Sequence, residues 1–129
     1  MAIVKNRVEA VQAAADVWRN SPLHKTDYRD EYPEFISDNS PAAFLELSGE
    51  EQERVADWIE NNFRHTAKFV CQDSSYSLKH IYEAETRHYT TNGQFKGAMV
   101  YCGFVPYNPH ELNCRYRMKN PDKNLKRMG

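Results

Sequence analysis

No apolar run in the 129-residue chain approaches the roughly 18 residues that a membrane-spanning helix needs. No apolar h-region of a signal peptide is found near the first residues, so a cytoplasmic protein is expected. The three cysteines, Cys71, Cys102 and Cys114, are too few and too scattered for a disulfide framework. Cys102 and Cys114 fall on apolar faces and read as small buried hydrophobes. There is no C-x-x-C, no H-E-x-x-H and no glycine-rich phosphate loop after a strand. No pair of carboxylates sits in an apolar setting suited to acid–base work. A non-enzymatic protein with no metal and no cofactor is therefore expected. Internal repeats and low-complexity segments are also missing.

What is present is an asymmetry of charge. Residues 1–63 hold 6 Lys/Arg against 13 Asp/Glu, a balance of −7. Residues 64–129 hold 11 against 5, a balance of +6, so the net −1 conceals an acidic and a basic half. A basic face raises affinity for phosphate without choosing a sequence.

The stretch from Ser74 to Lys119 reads as helix, turn, helix and two-stranded hairpin, the order of a winged helix-turn-helix. Ser74 or Ser75 starts the first helix, with Leu78, Ile81 and Tyr82 on one face. Thr91 and Gln94 form a capping box for the second. Phe95, Ala98, Met99 and Cys102 give that helix one apolar stripe, and Gly103 ends it. Its other face carries Gly93, Gln94, Lys96, Gly97, Val100 and Tyr101. The glycines at i and i+4 allow close approach of a backbone, either a ligand's or that of a neighbouring element. Leu112, Cys114, Tyr116 and Met118 alternate with Asn113, Arg115, Arg117 and Lys119, the pattern of a half-buried strand with one basic face. Phe104-Val105 is the expected partner strand, and residues 106–111 the wing tip.

Earlier in the chain, residues 4–19 form an amphipathic helix with Val4, Val8, Val11, Ala15 and Trp18 on one seam. That seam packs on the domain or makes a homodimer contact. Residues 20–40 carry Pro22 and Pro33 and are read as an irregular arm. In it Asp27, Asp30, Glu31, Glu34 and Asp38 interleave with aromatics. Such a strip either docks on the core through its rings or imitates a nucleic-acid backbone. Ser40-Pro41 opens a short helical turn, and Ser48 with Glu51 caps a helix running to about Phe63. Lys68–Cys71 is read as a short strand. The expected division is an N-terminal helix and acidic arm (1–40), a winged-helix-like α+β core, mostly helical (41–119), and a basic tail (120–129).

Ser75-Tyr76-x-Leu78-Lys79-His80, Tyr89-x-Thr91-Asn92-x-x-Phe95-Lys96-x-Ala98-Met99 and Gly103-Phe104 together resemble a family of small uncharacterised proteins of phages and prophages of Gram-positive bacteria. The resemblance spans about residues 45–118 and implies a mobile-element origin, not an activity. More distantly, the same order of elements is similar to the winged-helix tails of phage and viral replicative primases, without any primase or helicase motif.

The expected function is that of a phage-type accessory protein contacting nucleic acid or a nucleoprotein. The expected contact residues are Lys79, Arg87, Asn92, Gln94, Lys96, Tyr101, Arg115, Arg117 and Lys119. The alternative is an inhibitor of a host defence protein, of anti-CRISPR or anti-restriction type, acting through the acidic strip.

Overall fold

The computed structural model describes residues 2–20, 33–66 and 68–119. Within them the protein is mostly helical, in the order α1 (Ala2–Arg19), α2 (Pro33–Asn39), a 3-10 helix (Pro41–Glu46), α3 (Gly49–Asn62), α4 (Ser75–Thr86) and α5 (Asn92–Tyr101). Asp27, Asp30, Glu31 and the tail 120–129 lie outside the described residues.

The helix boundaries follow from local chemistry. Ser40 Oγ accepts from the Ala42 amide at the start of the 3-10 helix, where Pro41 needs no amide partner. Ser48 Oγ accepts from the Glu51 amide, satisfying one of the free donors of α3. Thr91 and Gln94 close the reciprocal capping box of α5. At its other end the Gly103 amide donates to Val100 and the Phe104 amide to Met99. Gly103 has φ of 89°, so a Schellman motif ends the helix with the residue type it demands. Pro33, read as a breaker, instead opens α2, because a first helical position tolerates proline.

Val11, Phe44, Val55, Ile59, Leu78, Phe95 and Met99 are all enclosed in one core. Trp58 holds its centre, meeting Phe63 and Tyr82 edge-on at 5.4 and 5.3 Å between centroids and Phe95 at 6.4 Å. Val11, Ala15 and Trp18 of the α1 seam are buried against the rest of the chain and Val8 is half-buried, so this part of the seam packs inside the fold.

Helix α5 packs against α1, α2, the 3-10 helix, α3 and α4 alike. It is the central helix of the protein and not a surface element. Its second face, polar in sequence, lies on residues 39–44. A Cβ on Gly93 would run into the backbone of Asn39 and Ser40, and one on Gly97 into the Pro41 carbonyl and the Phe44 side chain. The glycine pair therefore admits the protein's own backbone.

The expected hairpin is not seen. Among the described residues no continuous strand forms, and two isolated antiparallel bridges, Pro106 with Tyr116 and His65 with Met118, stand in its place. The winged-helix core that the hairpin would complete is accordingly not seen either. Tyr107 donates to the Arg115 carbonyl and Arg117 to Val105, but Pro106 and Pro109 have no amide to extend the ladder. The other edge of 114–119 is used by the preceding loop, through Cys71 to Tyr116, Ser75 to Cys114 and Lys119 to Arg64. Lys68–Cys71 supplies one such bond and no strand. The alternation still sets the faces: Cys114, Tyr116 and Met118 are buried, while Arg115 and Arg117 are half-buried and Lys119 is exposed.

Candidate nucleic-acid interface

Lys96 is the residue whose place differs most from expectation. It is 1% exposed. Its Nζ donates to the Leu112 carbonyl at 2.9 Å and stands 4.5 Å from the Trp18 ring centroid. Burial lowers its pKa from the ordinary 10.5 to about 8, an effect partly offset by neighbouring Cys114. The same burial raises the Cys114 thiol.

Asn92 is buried beside it. Its Nδ2 donates to Asn39, Leu112 and Asn113, and its Oδ1 accepts from Ser75 Oγ at 2.8 Å. Ser75 Oγ in turn accepts from the Cys114 amide. Asn92 and Lys96 thus fasten the segment 112–114 to the helices from within, and neither faces a ligand.

Gln94 is used in the capping box. Tyr101 packs on Phe44 at 5.1 Å and lies under the Arg7 guanidinium. Lys79 is nearly buried, and its Nζ pairs with Glu83 at 3.3 Å. Glu83 also accepts from the Thr90 amide, tying α4 to the turn that follows it. Arg87 ends α4 exposed, in the left-handed region with φ of 63°. Of the acidic strip, Glu34 and Asp38 are exposed on α2.

The outward-facing cations gather on the segment after the tip. The Arg115 and Arg117 guanidinium groups stand 5.6 and 5.5 Å from the ring centroid of Tyr107. The shared ring restricts both side chains, which are half-buried. Neither they nor Arg64, Lys68 or Lys119 form an ion pair with any described carboxylate. Two shallow grooves flank the end of this segment. One is lined by His65, Thr66, Gly103, Val105 and Arg117, the other by Lys68, Phe69, Val70, Gln72 and Lys119. Val105, Phe69 and Tyr107 are exposed there, so apolar and cationic groups share one surface. Tyr107, Lys68 and Phe69 were not among the expected contact residues. Loop positions have no periodicity to betray their facing.

Among the described residues no group of three or more His, Cys, Asp or Glu side chains is placed to hold a metal. No described helix is long and apolar enough to cross a membrane. No protein family, curated protein or solved structure matches the chain.

Proposed function

We propose that this chain is a non-enzymatic accessory protein of phage type that contacts nucleic acid through Arg115, Arg117 and Lys119, with Lys68 and Tyr107 beside them. The observation that carries this reading is the pair of arginines ordered on one tyrosine with no described carboxylate to neutralise them. Guanidinium groups held this way match phosphate oxygens in a fork geometry. The apolar grooves beside them suit the sugar and base portions of the same ligand. The charge balance of residues 64–129 favours an anionic partner at long range. Helix α5 is largely buried and takes no part, so the reading does not depend on a recognition helix.

Fluorescence anisotropy of the purified chain with duplex DNA, single-stranded DNA and RNA at two salt concentrations tests the proposal. Binding that weakens with salt at a logarithmic slope of about −3 is expected from three or four phosphate contacts. Absence of binding at low salt would sink it.

A second reading is favoured by α3. Glu50, Glu53, Asp57 and Glu60 are exposed along one side of it, at i, i+3, i+7 and i+10. Successive carboxylates stand about 5 Å apart along the axis, a spacing fit for a basic groove on a host defence protein. The inhibitor reading then rests on this row and not on residues 27–38 alone. Glu53→Gln with Asp57→Gln weakens target capture if it holds and leaves nucleic-acid binding unchanged.

A further inference from the structure

On the flank of α4 stands an aromatic arrangement that the phosphate-contacting strip does not use. Tyr76 and Tyr89 are 51% and 78% exposed. Both rings lie against one ammonium: Lys79 Nζ is 5.6 Å from the centroid of Tyr76 and 5.5 Å from that of Tyr89. Lys79 is itself fixed, its stem buried and its charge held by Glu83. His80 meets Tyr76 edge-on at 4.5 Å. Two large aromatic faces are thereby set in place by groups beneath and beside them, while their remaining surface stays in water.

This arrangement adjoins the basic strip through the backbone. The Ser75 amide donates to the Cys114 carbonyl at 2.7 Å, and the Cys114 amide to Ser75 Oγ at 3.1 Å. Tyr76 and Arg115 are the next residues on each side of that double tie. Beyond Tyr89, the exposed Arg87 adds a further cation. The tie thus joins a segment carrying Lys119, Arg117 and Arg115, with Tyr107 against its arginines, to a helix start carrying Tyr76, with Tyr89 across the shared Lys79.

We infer that this surface takes single-stranded nucleic acid, with unpaired bases stacking on Tyr76 and Tyr89 while Arg115, Arg117 and Lys119 hold the phosphates. The inference rests on the proposed function and narrows its ligand class. Phosphate contacts alone serve duplex and single strand equally. Exposed rings placed among cations add affinity only for bases whose faces are free, because a duplex hides them in its own stack. Stacking accepts any base, so little sequence preference accompanies it.

The test compares oligothymidylate, oligouridylate and a mixed-sequence duplex by anisotropy, using the full chain and the variants Tyr76→Ala, Tyr89→Ala, Tyr76→Phe and Tyr89→Phe. The wild type binds the single strands at least tenfold tighter than the duplex. Each alanine variant loses at least fivefold on the single strands and nothing on the duplex. Each phenylalanine variant restores binding, since the ring and not the hydroxyl stacks. The salt slope stays the same in all four variants. The two single-stranded arms tell DNA from RNA. Equal affinity for duplex and single strand, or alanine variants that bind as the wild type does, overturns the inference and leaves the phosphate contacts standing. No binding to any of the three ligands overturns both.

Discussion

The ammonium of Lys96 lies 4.5 Å from the ring centroid of Trp18, so a lysine of α5 is roofed by an aromatic ring of α1. Its other partner is the Leu112 carbonyl. One side chain thus joins the first helix, the central helix and the segment that leads into Arg115 and Arg117. The structural role of Lys96 separates the folding of this protein from the surface proposed to bind.

That role has a pH signature. The Lys96 pKa is about 8 in the folded chain against an ordinary 10.5. Between those values the unfolded chain holds the extra proton, so this residue makes stability rise with pH, starting near 8. Cys102 acts in the opposite sense: burial pushes its thiol from 9.0 up to about 12, and its contribution falls as pH passes 9. Comparing wild type with Lys96→Met cancels the cysteine effect. Urea unfolding is expected to show the wild type gaining about 1 kcal/mol on the variant between pH 8 and 9. A constant difference across that window would contradict the buried ammonium. Lys96→Glu buries an unpaired carboxylate and costs about 3–5 kcal/mol. Any loss of binding in that variant reports unfolding.

Gly97 makes a second prediction. Alanine in an exposed helix interior is worth about 1 kcal/mol over glycine. Here the added methyl meets the Pro41 carbonyl and the Phe44 side chain, and the backbone of the 3-10 helix has no easy retreat. Gly97→Ala is expected to lose about 1–3 kcal/mol in urea unfolding. Gly49→Ala, where a Cβ meets nothing within 4 Å, is the control and should be neutral or slightly stabilising.

Asn92 anchors the polar cluster between α4, α5 and residues 112–114. Asn92→Ala strands the Ser75 hydroxyl and the Asn39 and Asn113 side-chain oxygens. A loss of about 3 kcal/mol in global stability is expected. Amide exchange at Cys114, whose donor goes to Ser75 Oγ, should quicken in parallel. Unchanged exchange there would mean that the segment is held by other means.

The caps of α3 and α5, the Schellman end at Gly103 and the stripe of Phe95, Ala98, Met99 and Cys102 were legible because each is written within a few residues. The faces of residues 112–119 were legible for the same reason, since alternation survives even where the ladder does not. What escaped depends on distant partners. Lys96 reads as a surface residue until Trp18 and the Leu112 carbonyl are known to surround it. Gly93 and Gly97 were the sequence's sign that the second face of α5 is covered, but they do not say by what. The hairpin does not follow from the alternation, which reports burial and says nothing about whether prolines leave enough amides to pair. Of the candidate site, Arg115, Arg117 and Lys119 keep their place on an outward surface, whereas Asn92 and Lys96 belong to the interior.

The most direct test of the central claim is anisotropy with single-stranded DNA for three proteins: the wild type, the double variant Arg115→Glu/Arg117→Glu and the control Arg54→Glu. Arg54 pairs with Glu50 on α3 and is not among the proposed contact residues. The double variant is expected to lose at least tenfold in affinity and to flatten the salt slope by about 1.4, while the control stays within about twofold of wild type. A double variant that binds as tightly as the wild type, with the same slope, would contradict the account and move the contact to another surface of the chain.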